Sequence, residues 1–409
     1  MDDWKYSPGK IWVDITAEAI EKEADCVIIA GDVIDRKSMY YGAFGDFEEG
    51  IRRLSRNNIP TYVTSGNHDF DVLPELVDNL EGYDIYQLGK GGKWESVALP
   101  ESDSPLLNIA GWSYPSKHYP KNPFGSYELE FDNDLPTIGL LHSEINSPQS
   151  NFAPVSPSDL ERSGVDLWVL GHEHGPRGPE KNEASYLVPG VPQPLDPTEA
   201  GPHGPWLVTF EHGKEPNTAH SPLANLRYET LSIDAEDFHD PAEIPGLFYR
   251  KAEEVLTEED SSKVELLVAD LMLKGRTDAY DDLTRKMNEL REGLSRRTGT
   301  TRIELNRIEN RAKPKIDLEK LSREHNPAGL LAELLMNIER GNPDELPQEL
   351  IGETKKALNR AYTANAYHDL RTQGEISKPG ATDTINYITE AGWLILESLV
   401  SQKTGDKGE

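Results

Sequence analysis

Four apolar runs in this chain each end in a side chain able to hold a cation, and that recurrence constrains the fold more than any other feature. Cys26 to Ala30 leads into Gly31-Asp32-Val33-Ile34-Asp35, and Pro60 to Thr64 leads into Gly66-Asn67-His68-Asp69. Ile138 to Leu141 leads into His142, and Val165 to Leu170 into Gly171-His172-Glu173-His174. Short apolar runs bounded by turn residues read as buried strands of a parallel sheet. In open α/β sheets, ligands sit at the carboxyl ends of such strands.

The intervening pattern agrees with α/β. Ile11, Ile15, Ala19 and Ile20 give Lys10 to Ala24 a helical face, and Phe47, Ile51 and Leu54 do the same for Phe44 to Arg56. A short helix is predicted over Leu73 to Leu80, and extended segments over Tyr83 to Leu88, Trp94 to Leu99 and Leu106 to Trp112. Ser113 to Pro136, rich in Pro, Tyr, Asn and Asp, reads as a long surface loop. Pro157 to Ser163 reads as a helix capped by Ser156. A turn-rich segment, Pro189 to Pro194, lies between short extended pieces at Tyr186 to Val188 and Trp206 to Phe210. Periodicity stops between Glu211 and Leu223, which sets a domain boundary. Beyond it an α+β pattern gives strands near Tyr228 to Ile233, Val264 to Leu271 and Arg302 to Leu305, with helices near Pro245 to Leu256 and Tyr280 to Leu294. From Ala328 the chain is helical. The expected domains are therefore 1–213, 224–325 and 326–409, consistent with a length of 409 residues.

A two-metal hydrolytic site needs a bridging carboxylate, several neutral nitrogen or oxygen ligands and a proton donor for the leaving oxygen. Asp32 suits the bridge, Asn67, His142 and His172 one ion, and His174 the other. Imidazole with carboxylate and amide oxygen suits manganese, iron or zinc better than calcium. His68 stands where an acid is needed, with Asp69 to orient it. Each residue also has a plainer reading. Gly31-Asp32 is a common strand-ending turn, His142 a hydrogen-bonded core histidine, His172-x-His174 a local turn, and Asn67-His68-Asp69 a helix cap.

The motifs Gly31-Asp32-x-x-Asp35, Gly66-Asn67-His68-Asp69, His142 and Gly171-His172-x-His174 resemble those of the calcineurin-like metallophosphoesterases. Within them, the chain is similar to the SbcD-type exonucleases over roughly its first three hundred residues. Pro189 to Pro194 and Glu199 to Gly204 resemble that subfamily's segment after the last histidines, and Gly275-Arg276-Thr277 resembles its YhaO-like branch. The resemblance implies a metallophosphoesterase β-sandwich flanked by helices, then an α+β capping domain and a helical C-terminus. It also implies two divalent ions, manganese foremost, and DNA phosphodiester hydrolysis in double-strand-break repair. The capping domain would screen DNA access, and C-terminal helices would grip an SMC-like, SbcC-type ABC ATPase; a homodimer is a further implied partner.

One departure matters. The family opens with a strand ending in Asp-x-His, and no Asp-x-His precedes Asp32. Missing a central strand would uncover its neighbours in a parallel sheet, so the expectation is a start set too far downstream. The alternatives are a catalytically impaired scaffold with one weak metal, or a phosphodiesterase for a small nucleotide. As it stands, the chain is expected to hold the Asp32, Asn67, His142, His172 ion better than its partner ion.

Composition sets the conditions. Lys and Arg total 42 against 72 Asp and Glu, a net charge of -30 spread along the chain. Such a surface repels nucleic acid in dilute buffer. It suits a very salty cytoplasm, where the Debye length falls to ~3 Å. Cys26 is the only cysteine, which excludes a disulfide framework. No apolar stretch nears the ~18 residues of a membrane span. In the last helix, Ile385, Ile388, Trp393, Leu396, Leu399 and Val400 form a broad apolar surface, matched by Leu350, Ile351, Leu358 and Tyr362. Those two stripes pack on each other or on a partner.

Overall fold

The computed structural model describes residues 3–34, 41–100, 105–131, 135–180, 185–211, 214–258, 261–292, 294–341, 346–364, 366 and 378–405, so Asp35 lies outside the described residues. It is a mixed α/β protein that divides into two compact units, the first made of Met1–Ile233, Ala242–Leu273 and Met287–Asn310. Two stacked sheets form its N-terminal part. In the first, β1 (Val27–Ala30), β2 (Thr61–Thr64) and β3 (Ile85–Gln87) run parallel in that order. The helices α1 (Pro8–Glu21), α2 (Tyr41–Arg56) and α3 (Leu73–Asn79) precede or connect them. Pro8 opens α1 behind Ser7, whose side chain accepts from the Lys10 amide. Phe47, Ile51 and Leu54 of α2 are buried, as their spacing requires, and Phe47 and Ile51 pack with Val63, Leu76 and Ile85.

The second sheet has five strands in sequence order: β4 (Trp94–Leu99), β5 (Leu107–Trp112), β6 (Thr137–His142), β7 (Leu167–Gly171) and β8 (Tyr186–Leu187). β4 is antiparallel to β5 and the remainder are parallel. Ala30 and Tyr62 of the first sheet share a core with Ile109, Ile138, Leu140 and Val169 of the second, which is the sandwich interface. A short helix, α4 (Pro157–Glu161), leads into β7 behind the capping residue Ser156, whose backbone amide donates to Asp159 at 2.9 Å. The segment Ser113 to Pro136, read from sequence as a surface loop, packs in part on the outer face of the sheet. Tyr114 is 1% exposed, and Phe124 and Tyr127 pack against Trp94, tilted and edge-on respectively. Aromatic side chains in a polar-looking stretch bury too much area to stay in water.

β1 is an edge of its sheet. Its residues Val27 to Ile29 are half-buried where β2 is buried throughout. A cavity of about 2480 Å³, lined by Cys26, Ile28, Leu107, Trp206 and Val208, extends from there to Asp32 and His172.

After β8 come β9 (Trp206–Thr209) and β10 (Asn217–His220), which pair antiparallel. The stretch expected to be irregular, Glu211 to Leu223, therefore contains a strand, because β9 supplies a ladder that no local periodicity announces. A four-stranded sheet follows from β11 (Leu226–Asp234), β12 (Leu266–Lys274), β13 (Ser295–Thr298) and β14 (Thr301–Asn310), in the order β11-β12-β14-β13. β14 is longer than the predicted Arg302 to Leu305, and β13 was not expected at all. The connecting helices are α5 (Ile244–Leu256) and α6 (Tyr280–Glu292).

The second unit comprises Asp234–Pro241, Lys274–Lys286 and Arg311–Glu409. It holds α7 (Leu318–Leu321), α8 (Pro327–Glu339), α9 (Gln348–Thr363) and α10 (Ala381–Gly405). Leu318, Ala332, Leu335 and Leu396 form its core, with Trp393, Leu399 and Val400 packed against it. Arg276 lies 3.7 Å from the Trp393 ring centroid and 3.2 Å from Glu397. Much of the apolar surface of α10 thus meets α8, and what remains open is a different set: Tyr387, Leu394 and Ile395, each more than half exposed. Among the described residues, no helix is long and apolar enough to cross a membrane.

Candidate functional site

The C-terminal ends of β1, β2, β6 and β7 bring the predicted side chains together. Asp32 leaves β1 through Gly31 and takes φ +53°, a left-handed conformation rare for a residue with a Cβ. His172, just past β7, is held at φ +93°. Strained residues persist where surrounding structure over-determines them, and functional sites collect them. Both turns are packed against glycines. A Cβ on Gly66 would fall 2.1 Å from Asp32 Oδ1, and one on Gly171 would fall 1.9 Å from the Ala30 carbonyl oxygen.

His142 is the hub. Its Nδ1–H donates to the Ala30 carbonyl at 3.0 Å, which leaves Nε2 facing Asp32 Oδ2 and Asn67 Oδ1, each 3.1 Å away. Three lone-pair donors meeting at one point are stable only with a proton or a cation among them. The His172 ring stands with its centroid 5.3 Å from that of His142, and its Nε2 is 4.0 Å from Glu144. A carboxylate, an amide oxygen and an imidazole meeting there, with a second imidazole beside them, are donor types that suit a transition-metal divalent ion. Among the described residues, no group of three or more His, Cys, Asp or Glu side chains stands ready-made around one point. The cluster reaches its donor number only by including the amide of Asn67.

Electrostatics follow from this packing. Burial pushes the Asp32 carboxyl up, but the His142 hydrogen bond and charge and the His68 amide outweigh it, so it sits below its ordinary value. Burial likewise opposes protonation of His142, yet the Asp32 bond prevails and raises it. Asp69 is pushed up to about 6, first by burial and then by the neighbouring Asp32 charge. His172 is lowered by burial and by His142.

The remaining expected residues separate. His68 is half-buried, and its backbone amide donates to Asp32 Oδ1 at 2.8 Å. The two oxygens of Asp69 accept from the Gly66 amide at 2.7 Å and the Val33 amide at 2.8 Å, tying the two strand-end turns together. A buried carboxylate beside unpaired backbone N–H groups satisfies those first. His174 is 63% exposed at its side chain, with Nδ1 2.6 Å from Glu199 and no bond to the Asp32 cluster.

Three neighbours escaped the sequence reading. Tyr114 sets its ring edge on His142 with centroids 5.8 Å apart, Phe152 lies 4.9 Å from the His172 ring, and Glu144 approaches His172. Tyr114 lies two residues beyond β5, so the strand-end pattern extended to a fifth strand would have found it. Phe152 carries no such signal.

Residues 10–176 match the family described as calcineurin-like phosphoesterase. Over 214 residues the chain is 25% identical to an uncharacterized metallophosphoesterase, YhaO, of Bacillus subtilis, covering 48% of each protein. It is 25% identical over 213 residues to a DNA double-strand break repair protein, Mre11, of Aeropyrum pernix, covering 49% of this chain and 52% of that one. A protein of the same description from Nanoarchaeum equitans is 24% identical over 181 residues, 39% of this chain and 49% of its own. The chain spans about half the length of these curated relatives.

Proposed function

We propose, on the premise that residues 10–176 are a calcineurin-like metallophosphoesterase domain, that this chain hydrolyses phosphodiester bonds in DNA. The observation that carries the reading is the convergence of Asp32 and Asn67 on His142 Nε2, each at 3.1 Å, with His172 beside them. Asp32, Asn67, His142 and His172 would hold one divalent ion and His174 a second, with manganese suited to the mixed oxygen and imidazole donors. When bound, such ions supply Lewis acidity and a water of lowered pKa. The chain's own contribution is positional. The Ala30 carbonyl presents His142 through Nε2, and Asp69 clamps the turns carrying Asp32 and Asn67. His68, adjacent to Asn67 and half-buried, delivers a proton to the leaving oxygen.

The relatives described as DNA double-strand break repair proteins support a DNA substrate; an SMC-like ATPase partner and a cytoplasmic setting belong to the same proposal and rest on the sequence resemblance alone. A net charge of -30 makes DNA engagement depend on high salt and on bound cations. The expected result is Mn²⁺-dependent cleavage of end-labelled duplex DNA in molar KCl, abolished by His142→Gln. A small diester cleaved much faster than DNA would reassign the substrate. The reliance of the second ion on His174 supports one other reading, a scaffold holding one metal. One equivalent of Mn²⁺ bound with no cleavage of DNA or small diester would favour it.

A further inference from the structure

His174 is the most exposed of the predicted site residues, yet the loop 189–204 holds it at both ends. The Val191 amide donates to the His174 carbonyl at 2.9 Å. Gly190, at φ +72°, brings its backbone so close that a Cβ would lie 2.7 Å from that same carbonyl oxygen. On the imidazole side, Glu199 Oε1 lies 2.6 Å from His174 Nδ1. Glu199 is itself fixed. It is 7% exposed, its second oxygen accepts from the Leu195 amide at 2.7 Å, and its own amide donates to the Asp196 carbonyl at 3.1 Å. A carboxylate can only accept, so the short contact requires the proton on His174 Nδ1, and in the neutral imidazole it is Nε2 that keeps the lone pair.

We propose that Glu199 is a positioning residue that fixes the Nδ1–H tautomer and orientation of His174, so that Nε2 is presented as a ligand for a divalent cation. The inference rests on the metal-site reading above and adds a second-sphere carboxylate to it. An imidazole 63% exposed would otherwise rotate and exchange tautomers freely. Carboxylates hydrogen-bonded to ligand histidines orient the ring and raise its basicity, and their loss typically weakens metal binding about 10–100-fold.

The test uses the full chain with ¹⁵N-histidine labelling, the His174 signal being assigned by its loss in His174→Gln. Two-bond ¹H–¹⁵N spectra without metal report the tautomer, and Mn²⁺ titration calorimetry reports affinity. Wild type should show the Nδ1–H form. Glu199→Ala should shift His174 toward the Nε2–H form and weaken Mn²⁺ binding about 10–100-fold, while Glu199→Gln, which keeps an acceptor oxygen and the loop's packing, should fall between. An unchanged tautomer in both variants overturns the proposal. A wild type that binds no Mn²⁺ would overturn the metal-site reading, and the metal-free spectra would still decide what Glu199 does.

Discussion

His142 Nε2 lies 3.1 Å from Asp32 Oδ2, and the imidazole is 2% exposed. Asp32 is 25% exposed and keeps the His68 amide, so losing His142 leaves it short of one charged partner, at a cost of about 1–3 kcal/mol. His142→Ala should lower the urea midpoint of the metal-free protein accordingly and abolish Mn²⁺ binding in calorimetry. An unchanged midpoint would show that the pair contributes nothing to the fold.

His68 should separate chemistry from binding. Its backbone amide makes a bond to Asp32 that any residue at this position keeps. His68→Gln is therefore expected to retain Mn²⁺ affinity while kcat on a diester falls about 10²–10⁴-fold, the range for loss of a general acid. A parallel loss of Mn²⁺ affinity would make His68 a ligand.

Two glycine substitutions should move stability in opposite directions. On Gly171 a methyl group would lie 1.9 Å from the Ala30 carbonyl oxygen and 2.7 Å from His142 Nδ1. The β1 and β7 ends must then part, and Gly171→Ala should cost about 1–3 kcal/mol. A methyl group on Gly45, inside α2, would meet no neighbouring side chain or element within 4 Å. There alanine removes only unfolded-chain freedom, so Gly45→Ala should gain about 0.5–1 kcal/mol. Thermal melts of the two variants make the comparison.

Cys26 should be slow to react. Burial, then the nearby Asp25, pushes its thiol up to about 12. The thiolate is the reactive species, so native protein at pH 8 should react with iodoacetamide more slowly than urea-unfolded protein, although Cys26 is only half-buried. Comparable rates would show the β1 edge to be open.

Asp159 should give α4 an acid-sensitive cap. Burial raises its carboxyl, but bonds from Ser156 and Asn122 and the Arg162 charge outweigh that and lower it. A carboxyl depressed in the folded state stabilises above its unfolded pKa and loses that contribution as pH falls through the folded value. Asp159→Asn should cost about 1 kcal/mol at pH 7. The gap from wild type should close as the pH falls below the ordinary aspartate range, about pH 4, as chemical denaturation across pH will show.

Strand-end residues were legible because a parallel strand is a local object: a short apolar run of four to six residues, halted by a polar or glycine turn, announces both the strand and its chemically active end. That is why Asp32, Asn67, His142 and His172 could be named from the sequence, with the α2 face of Phe47, Ile51 and Leu54. Tertiary structure alone decided which carboxylate serves which histidine. Asp69 accepts from two backbone amides across the strand-end turns, and Glu199, twenty-five positions from His174, faces its imidazole. It also decided that β10 and β13 exist and that Tyr114 is buried. Hydrogen bonds and ladder pairing join residues distant in the chain, and their partners are chosen by packing, which no local periodicity encodes.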